Sequence, residues 1–186
     1  KGTTDSGKPL YLVLYSNDGQ FDYDDKNLNK KAIILINNGI HPGEPDGIDA
    51  SMLLMRDLAM GKIKAAKNTF IAVIPVYNVG GMLNRNSHSR ANQNGPEEYG
   101  FRGNGRNYDL NRDFIKSDTK NSRSFQQLFS ELKPDLFLDN HCSNGADYQY
   151  TFTCIATQHE RLGNKLGNFF IKDLYPTIVK DMQQKK

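Results

Sequence analysis

Ala32-Ile33-Ile34-Leu35-Ile36-Asn37-Asn38-Gly39-Ile40-His41-Pro42-Gly43-Glu44-Pro45-Asp46-Gly47 is the stretch that decides how this chain folds. Its first five residues are apolar at odd and even positions alike, as in a central strand covered on both faces. The Asn, Gly and Pro that follow either restrict the backbone or let it bend sharply. Beyond Pro45, residues Ile48, Met52, Met55 and Ala59 step by four, three and four, which is one face of a helix. Pro45 suits its first turn, Asp46 and Asp49 its positive end, and Gly61 can stop it. Strand, polar turn and helix in that order make one α/β unit, and such turns are where α/β proteins place their chemistry. His41 and Glu44 stand in this one.

Outward from that unit, residues 10–15, 70–75 and 136–140 read as further strands, and residues 148–156 alternate like another. Phe125, Leu128, Phe129 and Leu132 mark a helix face that Pro134 ends; Leu162, Leu166, Phe169 and Phe170 mark a helix expected to stop before Pro176. Residues 76–121 are rich in Asn, Gly and Arg with little periodicity, and so long an irregular stretch is more often functional than idle. Alternating strands and helices predict an α/β fold, a three-layer α/β/α arrangement around a mostly parallel mixed sheet, as one domain over residues 1–186.

The composition fits a globular domain. The chain has 186 residues, 37% of them hydrophobic, and a mean hydropathy of −0.67. Its 24 basic and 21 acidic residues are interspersed and leave a net charge of +3, which argues against a nucleic-acid or membrane surface. No apolar run reaches the roughly 18 to 20 residues that span a bilayer. Two cysteines, Cys142 and Cys154, are too few for a disulfide framework and permit one bridge. The chain begins at Lys1, so a signal peptide cannot be read from it; localisation is open, with a lean to a secreted or periplasmic setting.

His41 and Glu44 lie just past the second strand, and His141 just past the strand at 136–140. If those strands are parallel neighbours, both turns open on one edge of the sheet, and two imidazoles and a carboxylate can converge. Zinc accepts that set at about 2.0 to 2.2 Å, in the three-ligand form that leaves a position for water. Non-haem iron accepts it too, and spacing does not separate the metals. An HxxE pair by itself arises often by chance; His88 and His159, without an acidic companion at a strand end, read as ordinary histidines. Downstream, Arg102, Arg106 and Arg112 fall with Asn104, Asn107 and Asn111 inside eleven residues. A solvated loop accounts for one of those arginines but less readily for three; the planar guanidinium binds carboxylates bidentately, so the cluster suits a negatively charged substrate group. Arg90, Glu97 and Glu98 read as surface loop.

His41-Pro42-Gly43-Glu44, Asp109-Leu110-Asn111-Arg112 and Asp139-Asn140-His141, in this order and each in its strand-and-turn context, resemble the motifs of the zinc carboxypeptidases, the carboxypeptidase A-like metallopeptidases. The resemblance covers about residues 8–160. It implies Zn2+ held by His41, Glu44 and His141. It also implies Arg102, nine residues before Asn111, as the arginine that polarises the scissile carbonyl, with Arg106 ranked second. Asn111 and Arg112 become the pair that grips a terminal carboxylate, and Asp109 the carboxylate that orients His41. The implied activity is that of a metallocarboxypeptidase removing C-terminal residues through metal-activated water, on a peptide or small amide bearing a free carboxylate.

The family's general-base glutamate and the tyrosine before it have no counterpart here: Glu160, Asp173, Asp181 and Tyr175 do not match their motif. The expectation is therefore the N-terminal part of a catalytic domain, truncated on its C-terminal side and lacking the base. Its open sheet edge would favour self-association or pairing with a C-terminal segment. The alternatives are a non-catalytic module that binds peptide ends and an acyl-amino-acid deacylase of the aspartoacylase or succinylglutamate desuccinylase type. Asn111-Arg112-Asp113-Phe114 lacks the Pro-Gly common after Asn-Arg in that deacylase branch.

Overall fold

The computed structural model describes residues 1–23, 28–143 and 145–184. They form two compact units that divide after Gly145. In the N-terminal unit β2 (Ala32–Asn37) lies at the centre of a four-stranded sheet. It runs parallel to β3 (Thr69–Ile74) on one side and to β6 (Leu136–Asp139) on the other, and β1 (Val13–Ser16) closes the β3 edge antiparallel. The expected mixed, mostly parallel sheet is therefore present.

Alternation along the strands builds the three layers. Ile33 and Leu35 with Phe70, Ala72 and Ile74 face a core completed by Leu10, Leu110 and the α3 residues Phe125, Leu128 and Leu132, where α3 is Lys120–Leu132. Ile36, Ile71 and Val73 face the other way, onto Leu54, Met55 and Leu58 of α1 (Asp46–Ala59). The buried residues of α1 are Ile48, Ser51 and Leu58, with Met55 half-buried beside them; of the face read from the sequence, Met52 is 59% exposed and Ala59 is exposed too. Both candidates step at helical spacing, and what decides between them is the tilt of the helix over β2 and β3, which a single helix's periodicity does not contain.

Residues 76–121 are not featureless. They hold α2 (Val79–Leu83), a two-stranded ribbon of β4 (Arg85–Asn86) and β5 (Tyr99–Gly100), and a 3-10 turn at Leu110–Arg112. Asp113, 3% exposed, ties this segment to α3: it accepts from the backbone N–H of Asp118 and Thr119 and from the hydroxyls of Thr119 and Ser122. Thr119 is the N-cap of α3 and its hydroxyl accepts from the Ser122 N–H.

In the C-terminal unit the expected strand at 148–156 is absent; the described backbone there is irregular, with no partner strand to supply the ladder that an alternating pattern needs. The helix does not stop before Pro176. α4 (His159–Phe169) continues through a π-helical turn at Phe170–Leu174 into α5 (Tyr175–Gln184). Pro176 falls in the first turn of α5, where the wider preceding turn has already broken the i to i−4 ladder, so the missing proline N–H costs little. Both cysteines are free thiols. Among the described residues no helix is long and apolar enough to cross a membrane.

Asp113→Ala should destabilise the N-terminal unit by about 1 to 3 kcal/mol, because it leaves buried donors unsatisfied, measured by urea unfolding. Burial works to raise the Asp113 carboxyl, but the hydroxyl and backbone donors prevail and hold it below the ordinary carboxylate range. Its contribution is therefore present above the unfolded-state pKa and is lost as pH falls through the lower folded one, a loss that D113A should not show.

Candidate metal centre

The parallel pairing of β2 with β6 sets Asn37 opposite Asp139, so both strands deliver their following turns to the same edge. Asparagines bind the two turns together. Asn140 donates to Asn38 Oδ1 at 2.8 Å, and Asn38 donates to Ser51 of α1 at 2.9 Å and to the Ile74 carbonyl at 3.1 Å. Two glycines are required for this closeness. A Cβ on Gly47 would lie 2.4 Å from Cβ of Asn140, and one on Gly43 would lie 2.3 Å from Cδ of Arg90.

Glu44 is the centre of the cluster and is 4% exposed. Its Oε1 lies 3.1 Å from His41 Nδ1 and accepts from the Arg90 guanidinium at 2.9 Å; its Oε2 lies 2.8 Å from His141 Nδ1 and accepts from the Cys142 N–H at 3.2 Å. One ligand atom from each of His41, Glu44 and His141 lies within 4.8 Å of the others, and the two rings are 5.1 Å apart between centroids. Both histidines turn Nδ1 toward Glu44 and Nε2 toward an aspartate: His41 Nε2 is 3.1 Å from Asp109 Oδ1, and His141 Nε2 is 3.1 Å from Asp139 Oδ2.

Burial alone would raise the Glu44 carboxyl, but the hydrogen bonds to His141 and His41 outweigh it and hold the group far below the usual carboxylate range. Hydrogen bonds to Asp139 and Glu44 push His141 up to about 9 against the opposing effect of burial. The Cys142 thiol, half-buried and 3.1 Å from Asp46 Oδ2, is pushed up to about 11 by its partial burial and that carboxylate, which keeps it a neutral thiol beside the cluster.

Arg102 bridges the cluster and the 3-10 turn. Its Nε and a terminal nitrogen each reach Asp109 Oδ2 at 2.9 Å, and its other terminal nitrogen lies 3.4 Å from His41 Nδ1. Asp109 also accepts from the Asn111 N–H at 3.0 Å, so one carboxylate fixes His41, Arg102 and the start of the Asn111-Arg112 turn. Arg112 is exposed and donates to the Asn111 carbonyl at 2.9 Å. Arg106 is exposed, stacks on Tyr108 at 5.0 Å and takes no part in the cluster.

Arg90 corrects the sequence reading. It is no surface-loop residue but 6% exposed, with its guanidinium on Glu44, its N–H donated to the Tyr99 hydroxyl, and a further side-chain hydrogen bond to Gln93. Nothing local in Ser89-Arg90-Ala91 signals burial; the signal is Gly43, which leaves the space Arg90 occupies.

The sequence profile of the zinc carboxypeptidases matches residues 1–155. The chain belongs to the zinc carboxypeptidase family. Carboxypeptidase 2 of Trichophyton rubrum is 28% identical over 116 residues, 61% of this chain and 19% of that protein. Carboxypeptidase 2 of Trichophyton tonsurans is 29% identical over 120 residues, 63% and 20% respectively. The chain thus spans about a fifth of the length of these relatives. Among solved structures, a metallo-carboxypeptidase from Burkholderia cenocepacia superposes with a TM-score of 0.57 at 17% identity, over 79% of this chain and 36% of that one. A Pseudomonas aeruginosa metallo-carboxypeptidase, solved in complex with (2-guanidinoethylmercapto)succinic acid, gives 0.51 at 19% identity, over 78% and 34%. Both have the same fold over the shared part. The family's cofactor is zinc, and two imidazoles and a carboxylate in reach of one another are a donor set that fits it.

Arg90 supplies part of the positive charge that faces the buried Glu44 carboxylate, through an ion pair of 2.9 Å. Arg90→Ala removes one partner of a buried ion pair and should destabilise the metal-free N-terminal unit by about 3 to 5 kcal/mol. Thermal unfolding of metal-free wild type and variant checks this; an unchanged midpoint would contradict the pairing.

Proposed function

We propose that this chain is the metal-binding and carboxylate-gripping part of a zinc-dependent metallocarboxypeptidase that removes C-terminal residues from peptides. The observation that carries the reading is the convergence of His41, Glu44 and His141 from two turns on one sheet edge, with the Arg102 guanidinium beside His41. Bound there, zinc would act as a Lewis acid toward a peptide carbonyl and lower the pKa of a water molecule toward about 7. Arg102, held by Asp109 and 40% exposed in its side chain, offers a fixed cation to the negative charge that develops on that carbonyl oxygen. Asp109 takes the Nε2 side of His41, which leaves the Nδ1 lone pair on the Glu44 side for a metal. Asn111 and Arg112, in the turn that Asp109 begins, suit the free carboxylate of a peptide end, the feature that makes a peptidase act from the terminus. None of Glu160, Asp173 and Asp181 matches the family's proton-accepting glutamate, so binding and hydrolysis are separable expectations for this chain.

The zinc-loaded chain should bind a short peptide with a free C-terminal carboxylate at least tenfold more tightly than the same peptide amidated, and Arg112→Ala should abolish the difference. Isothermal titration with the peptide pair measures it. Equal binding of both peptides by the wild type contradicts an exopeptidase site. Release of C-terminal residues, assayed with this chain and with any longer form of the protein, separates a peptidase from a binding module, and turnover of N-acyl amino acids in place of peptides would move the assignment to a deacylase.

A further inference from the structure

The resemblance assigns Asp139 no role of its own beyond its place in the motif, yet its position is tightly defined. It ends β6, opposite Asn37 at the end of β2. Its Oδ2 is 3.1 Å from His141 Nε2, and its Oδ1 accepts from the Asn37 side-chain amide at 2.8 Å. Asn37 is fully buried, and its own Oδ1 has no hydrogen-bond partner among the described residues. A buried amide oxygen without a partner costs about 1 to 3 kcal/mol, and an apolar residue would fill a central strand there at no such cost. Turning the amide over would set its oxygen against the Asp139 carboxylate, so the observed orientation is the one that serves Asp139. Asp139 thus joins the buried Asn37 to His141 through its two oxygens. The same relation holds on the other side, where Asp109 meets Nε2 of His41.

We propose that Asp139, fixed by the buried Asn37, is the positioning residue of His141, holding Nε2 so that Nδ1 faces Glu44, as the counterpart of Asp109 on His41. The inference rests on the reading of His41, Glu44 and His141 as a zinc site. A carboxylate on the far nitrogen of a ligating imidazole fixes the ring's orientation and raises its basicity, and losing such a partner commonly lowers metal affinity about 10- to 100-fold. Asn37 has no contact with His141 in this scheme and acts only through Asp139.

Zinc affinity of the 186-residue chain, measured by competition with a chromophoric chelator, tests this with D139A, D139N, N37V, the N37V/D139A pair and H141A. Circular dichroism of each metal-free variant checks that it is folded. D139A and D139N should each weaken zinc 10- to 100-fold, N37V should weaken it less, and N37V should add nothing further in the D139A background. In zinc-loaded protein with 15N-labelled histidine, the His141 Nε2 proton should exchange slowly in wild type and rapidly in D139A. Wild-type zinc affinity and a wild-type Nε2 proton in D139A and D139N, with zinc binding lost in H141A, would overturn the positioning role while leaving the metal site intact. Wild-type zinc affinity in H141A would overturn the site reading, and the inference with it.

Discussion

Glu44 carries a charge where water does not reach, and the site is arranged around that fact. A buried carboxylate persists as an anion only when its oxygens meet donors and cations, since isolated burial favours the neutral acid. Here the partners come from three separate places in the chain: His41 from its own turn, Arg90 from the segment before β5, and His141 with the Cys142 N–H from the turn after β6. Satisfying one side chain therefore fixes how three segments meet. A buried ion cluster of this kind is weak evidence for extra stability and better evidence for a defined geometry. A metal bound by the two imidazoles and the carboxylate would use donors that folding has already gathered.

The sheet makes the gathering possible. Because β2 and β6 are parallel and paired Asn37 to Asp139, the residues just beyond each strand share an edge, and a one-residue slip would turn Asp139 to the opposite face and His141 away from Glu44. The asparagines around that edge, Asn37, Asn38 and Asn140, join the strand ends where regular ladder bonding stops. Asp109 does for the third segment what the strands do for the first two, holding His41, Arg102 and the Asn111 N–H with one carboxylate.

Much of this was legible in the residues. The two-faced apolar run at 32–36 and the HxxE turn after it placed β2, α1 and half of the site, and the histidine past residues 136–140 supplied the rest once parallel pairing was assumed. What escaped has a common physical cause. Arg90 and Asn37 are polar residues in places the sequence reads as loop or turn, and their roles come from contacts 46 and 102 residues away, which no local pattern encodes. The buried face of α1 was missed by one register because helix tilt belongs to the packed pair rather than to the helix. The strand expected at 148–156 failed for the complementary reason, since alternation describes a strand only where a neighbour completes its ladder.

The central claim is that the turns after β2 and β6 together make one zinc site. X-ray absorption at the zinc edge, on the chain loaded with one equivalent of zinc, reads the ligands directly. The account predicts two imidazole nitrogens and carboxylate oxygen at about 2.0 to 2.2 Å with no sulfur. A sulfur shell at about 2.3 Å, which would place zinc on Cys142 or Cys154, or a shell of water oxygen without imidazole, would contradict it.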